Sequence, residues 1–205
     1  IHQHAYSLLL DTVGMPEVEY KAFAEYEAMA DKHEYINKIK VTAKDKESIA
    51  KALAVYSGFT EGLQLFSSFA ILLNFSRFGK MKGMGQIITY SIRDESLHVE
   101  AMTKLFREFI KENIDLWTDD LKKQIYQACR DMVDLEDQFL NLVFKQGDIE
   151  GLTQEDMKKY IRYIADRRLL QLGLKPNYKV SKNPLTWLDD VLGVEHQNFF
   201  EGRAT

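Results

Sequence analysis

Cysteine and proline are almost missing from this chain, and neither one sign of charge nor a long apolar run dominates it. One cysteine, Cys129, among 205 residues excludes an intrachain disulfide and fits a reducing compartment, so a cytoplasmic location is expected. Only three prolines, with long stretches free of both proline and glycine, leave few helix breaks and point to an all-α protein. A net charge of −4 provides no basic excess of the kind that nucleic-acid binding calls for. No apolar run reaches the roughly 20 residues needed to span a bilayer. The richest, Leu63 to Phe75, is interrupted by Gln64, Ser67, Ser68 and Asn74 and reads as a buried core helix. There is no signal-peptide charge pattern, internal repeat or low-complexity segment.

What is present suits a soluble globular protein: 45% apolar and 28% charged residues, with a length fitting one domain. The first helical pattern runs to Val13 and ends near Gly14. Pro16 suits the first turn of a second helix, reaching about Ile39. Lys44 to Phe78 reads as one long central helix, almost wholly apolar after Phe59. Gly79, Gly83 and Gly85 punctuate the join to a helix free of proline and glycine from Gln86 to Glu112. Thr118 caps a helix over Leu121 to Lys145. Gly147 and Gly151 mark the next break, and Thr153 with Asp156 resembles a capping box before a helix to about Leu172. Pro176, Asn177, Asn183 and Pro184 then signal an irregular arm with one short turn near Trp187. A single domain over 1–205 is expected, a helical bundle over 1–172 followed by an arm over 173–205. The chain enters a helical pattern at Ile1 and stops just after a charged, aromatic segment, so a fragment of a longer protein is expected.

Against this background one stretch carries chemistry. Glu95 and His98 form a Glu-x-x-His step, and residues three apart share a helix face, so both can close on one metal ion. Glu61 sits between Phe59 and Leu63, where an ionised carboxylate needs a cation, a hydrogen-bond partner or a raised pKa. His2 and Tyr6, four apart, share a face of the first helix; a core aromatic beside a hydrogen-bonded histidine is the plain alternative. Together these residues match four-helix di-iron and di-manganese carboxylate proteins, which draw single carboxylates from two helices and a Glu-x-x-His step from each of the other two. His2 would be half of a second step whose glutamate falls two residues before Ile1. An oxygen-rich site with imidazole suits iron or manganese.

Several segments resemble the radical-generating small (beta) subunit of class I ribonucleotide reductase. Ile1-His2-Gln3-His4-Ala5-Tyr6-Ser7 is similar to its radical-tyrosine segment, and Ile92-Arg93-Asp94-Glu95-Ser96-Leu97-His98 to its Arg-Asp-Glu-x-x-His motif. The Glu61-to-Glu95 spacing fits the family. So do Tyr163-Ile164-Ala165-Asp166-Arg167-Arg168-Leu169 with Leu172-Gly173-Leu174, then Asn183-Pro184-Leu185-Thr186-Trp187 and Asn198-Phe199-Phe200-Glu201. The resemblance runs essentially the whole length and implies an all-α, ferritin-like helical bundle with a dinuclear metal–carboxylate site.

The resemblance also implies roles. His2 would bind the metal nearer Tyr6, while Glu61, Glu95 and His98 would bind the second, Glu95 bridging. Tyr6 would hold the radical. Asp94 would accept a hydrogen bond from a ligand histidine and belong to the electron path. Leu65 and Phe69 would help form the apolar wall around the radical. The implied cofactor is dinuclear iron, with manganese or mixed Mn/Fe as alternatives. The implied partners are a second copy, in a homodimer, and the large (alpha) subunit, which reduces ribonucleotides; neither nucleic acid nor a membrane is a partner. The chain alone, short of ligands, is expected not to assemble a working dinuclear site. Other readings are a ferritin-like oxidase or hydroxylase, a metal-storage bundle, or a metal-free helical interaction protein, the last leaving Glu61 buried without a reason.

Overall fold

Glycines and capping side chains decide where the helices stop. In the computed structural model, residues 2–14, 16, 26–39, 45–145 and 147–190 are described, with side chains from His4 onward. The first helix, α1 (His2–Val13), ends on Gly14, whose φ of +75° is open to a residue without Cβ. Helix α2 covers Glu27–Asn37; residues 17–25 of the helix expected from Pro16 lie outside the described residues. Helix α3 (Lys46–Val55) starts where the Asp45 carboxylate accepts the Glu47 N–H at 3.1 Å. Helices α6 (Asp119–Val143) and α7 (Gln154–Gln171) begin as the sequence indicates. Thr118 Oγ1 accepts from Leu121 N–H at 3.1 Å, and Thr153 Oγ1 from Asp156 N–H at 3.1 Å.

The long central helix expected over Lys44–Phe78 is broken. After α3, residues Tyr56–Thr60 form a π-helical segment, and α4 does not begin until Phe66, running to Arg77. Glu61 N–H reaches back to Tyr56 O at 3.0 Å and Gln64 N–H to Phe59 O at 3.1 Å, both one residue further than an α-helix allows. Gly58 and Gly62, buried inside the apolar run, permit this wider turn. The glycine-marked join differs too. Helix α5 (Lys82–Glu112) already contains Gly83 and Gly85, and only Gly79, at φ +76°, lies in the connection.

Packing follows from the apolar stripes. Helix α5 lies against α3 and α4, α6 against α2, α3 and α7, and α1 against α5; α7 reaches both α4 and the π segment. Phe59, Leu63, Ile88, Phe106, Ile125, Met132 and Ile161 are fully buried at the centre of one apolar cluster. Each such side chain contributes on the order of 1.5–3 kcal/mol of transfer free energy. Leu185 and Leu188 carry the cluster into the arm, where residues 186–190 are helical. Among the described residues the only extended pairing is an isolated bridge between Ile149 and Leu152, and no helix is long and apolar enough to cross a membrane.

Candidate metal centre

Helical phase decides which polar groups meet. On α5, Ser91, Glu95 and His98 recur at spacings of four and three and so share one face. Glu61 arrives from the other side. The π segment adds a residue to the turn immediately before it, resetting the phase of the side chains that follow. The outcome is a cluster in which ligand atoms of Glu61, Glu95 and His98 all lie within 4.8 Å of one another. His98 Nδ1 stands 3.5 Å from Glu95 Oε2. Both carboxylates are half-buried and the histidine is exposed, so the cluster is open on the imidazole side.

Burial raises the Glu61 carboxyl above its ordinary range, the negative charge of Glu95 raises it further, and His98 opposes both. Two carboxylates facing each other in partial burial repel unless a proton or a cation stands between them.

Tyr6 joins the same face. Its hydroxyl donates to Ser91 Oγ at 2.8 Å, and Ser91 Oγ in turn donates to Ile87 O at 3.1 Å. Ser91 precedes Glu95 by four residues, about 6 Å along the axis. Burial raises the Tyr6 phenol, the Ser91 hydrogen bond opposes that, and the Glu95 charge adds to it.

The other expected residues are distributed as follows. The backbone of His2 lies in the first turn of α1, and its side chain lies outside the described residues. Asp94 is partly exposed, its Oδ1 3.6 Å from Arg93 Nη2. Phe69 is buried edge-to-face against Phe66, ring centroids 5.8 Å apart. Leu65 is 38% exposed, because the irregular turn after Glu61 carries it to the surface of the described residues. Sequence reasoning missed Ser91, although its spacing of four before Glu95 was available. Arg168, named from the sequence only as part of the Tyr163–Leu169 segment, donates from Nε to Gly62 O at 2.8 Å.

Residues 1–184 match the family described as ribonucleotide reductase, small chain. The chain belongs to the ribonucleotide reductase small-chain family. It is 43% identical over 242 residues to a probable ribonucleoside-diphosphate reductase small subunit of Invertebrate iridescent virus 6, covering 100% of this chain and 67% of that protein. It is 30% identical over 217 residues to the ribonucleoside-diphosphate reductase subunit beta of Chlamydia pneumoniae, covering 100% of this chain and 62% of that one. The ribonucleotide reductase R2 subunit from Clostridium botulinum superposes with a TM-score of 0.84 at 28% identity, over 94% of this chain and 62% of that one. The chain thus spans about three-fifths to two-thirds of the length of these relatives.

A small chain of this family implies a dinuclear metal site. The donor set fits such a site: two carboxylates and an imidazole converge from two helical elements, with oxygen and nitrogen donors suited to iron or manganese. The like-charge pressure on Glu61 is what a cation would relieve.

Proposed function

We propose that this chain carries the metal-ligand core of a radical-generating ribonucleotide reductase small subunit, an oxidoreductase component. Glu61, Glu95 and His98 would hold one ion, and His2 would help hold a second. The observation that carries this reading is the convergence of Glu61, Glu95 and His98 on the helix face where Tyr6 is docked one turn away. These relatives are longer than this chain.

A pair of bound iron or manganese ions supplies the oxidising power by reducing dioxygen. The residues of this chain do the rest. Tyr6 gives up one electron together with its phenolic proton, which is consumed in the reduction of dioxygen to water, and stores the neutral radical. Ser91, whose own proton is engaged by Ile87 O, orients the phenol instead of taking its proton. Phe69, and Leu65 at the margin, keep water from the radical. Asp94 fixes a ligand histidine and belongs to the path by which the radical moves reversibly to a cysteine of the large subunit, where ribonucleotides are reduced. The intact protein works as a homodimer in the cytoplasm, without nucleic-acid or membrane partners.

The test is electron paramagnetic resonance on the full-length protein after loading with iron(II), or with manganese and an activating partner, and exposure to oxygen. A tyrosyl signal that disappears in Tyr6→Phe supports the proposal. Metal uptake with no radical in the wild type overturns it in favour of an oxidase or storage role.

A further inference from the structure

The break in the central helix leaves a backbone carbonyl without its helical donor. In a continuous α-helix Gly62 O would accept from Phe66 N–H, but that N–H turns to Leu63 O at 3.0 Å. Gly62 O is instead taken by the guanidinium of Arg168, from α7, whose Nε donates at 2.8 Å.

Arg168 is built into place. It is buried, its guanidinium carbon lies 4.9 Å from the centroid of the Phe66 ring, and Nη1 donates to Gln171 Oε1 at 2.9 Å. A buried guanidinium is ordinarily paired with a carboxylate. Here its hydrogen bonds go to the Gly62 peptide carbonyl and the Gln171 side-chain oxygen. Burial lowers Arg168 to about 10, which leaves it charged at neutral pH.

The space for this contact is made by two glycines four residues apart. A Cβ on Gly62 would stand 2.8 Å from Arg168 Nε and 2.5 Å from Gly58 O; one on Gly58 would meet Leu172 Cδ1 at 3.1 Å. Helix α7 therefore touches the backbone of the segment that presents Glu61. A second cation, Lys32 Nζ, donates to Gln64 O of the same turn at 3.3 Å.

From this arrangement we infer that Arg168 is a positioning residue for Glu61. It fixes the Gly62–Leu63 peptide plane, one residue beyond Glu61, and thereby restrains the turn that directs the Glu61 carboxylate toward Glu95 and His98. This rests on the metal reading of the cluster. Arg168 touches neither the cluster nor substrate and acts only through the Gly62 carbonyl.

The experiment is a titration of the full-length, metal-free protein with manganese(II), following loss of the free-ion paramagnetic signal, in wild type, Glu61→Ala, Arg168→Lys and Arg168→Met. Amide hydrogen exchange over residues 61–66 is measured in parallel without metal. Arg168→Met is expected to weaken manganese(II) binding about tenfold or more and to speed exchange over 61–66 by a similar factor, with helical circular dichroism retained. Arg168→Lys, which keeps the charge but not the Nε donor, is expected to fall between; it carries the test if the methionine variant does not fold. An arginine with a merely structural role would lower unfolding stability and leave affinity alone. Wild-type affinity in either folded variant overturns the assignment. If the wild type itself takes up no more manganese(II) than Glu61→Ala, the metal reading falls and the assignment with it. That result appears in the unsubstituted protein, so the two failures are distinguishable.

Discussion

The Tyr6 hydroxyl and Ser91 Oγ are joined at 2.8 Å, and this bond ties α1 to the ligand-bearing helix one turn before Glu95. Ser91→Ala removes the acceptor and leaves a half-buried phenol to find water. A loss of about 0.5–1.5 kcal/mol in unfolding free energy is expected, measured by urea denaturation. In the metal-loaded full-length protein the same variant is expected to shorten the lifetime of the tyrosyl signal several-fold. An unchanged lifetime would mean that the phenol is held by something other than Ser91.

Lys32 and Glu136 form a buried ion pair, with the Ser67 hydroxyl on the second carboxylate oxygen, linking α2, α4 and α6. Lys32→Met leaves a fully buried carboxylate without its cation, at a cost of about 3–5 kcal/mol. Replacing both residues, as Lys32→Met with Glu136→Leu, is expected to recover most of that loss. Denaturant midpoints of the three variants decide it.

The same glutamate gives a pH signature. Burial raises the Glu136 carboxyl, and Lys32 and Ser67 only partly oppose it. A carboxyl whose folded pKa lies above its unfolded value, about 4.3, makes the folded state bind more protons. Its contribution is therefore fully present below the unfolded pKa and is lost as pH rises through the folded one. Lys32→Met removes the main opposing charge, so its stability deficit relative to wild type is expected to shrink as pH falls from 7 toward 5. Thermal unfolding across that range would contradict this if the deficit stayed constant.

Gly85 lets the first turn of α5 rest on the end of α4. A Cβ there would stand 2.1 Å from Ser76 Oγ and 2.8 Å from Ser76 Cβ. Gly85→Ala is expected to cost about 1–3 kcal/mol through overpacking, and Ser76→Gly added to it should restore much of the loss. Non-additivity in a double-mutant cycle is the measurement.

Asp166 anchors the arm. Its buried carboxylate accepts the N–H groups of Asn177 at 2.7 Å, Tyr178 at 2.8 Å and Val180 at 2.8 Å. Asp166→Asn replaces one acceptor oxygen by a donor facing a donor, with an expected cost on the order of 1–3 kcal/mol. Hydrogen exchange over 177–180 should accelerate well before that of α6.

Helix limits were legible wherever a local signal sets them: Gly14 as a left-handed stop, and Thr118 and Thr153 as caps. Each acts within a turn of its own position. The break at Tyr56–Thr60 was not legible, because an α-helix and a π segment bury the same apolar run and only the hydrogen-bond register differs. Glu61, Glu95 and His98 could be named from residue type and spacing. The role of Arg168 could not, because residue type does not say which members of Asp166-Arg167-Arg168 are buried. Only the packing of α7 shows that its first and third members are buried while Arg167 is exposed.

The contact between Arg168 and Gly62 spans 106 residues of sequence. On the ribosome, Glu61, Glu95 and His98 are all synthesised well before the arginine that braces the first of them. Ligands in a nascent chain can gather early, but the turn beside Glu61 acquires its final geometry only when α7 has emerged and docked. On the proposed role of Arg168, the centre would then load only after α7 has docked.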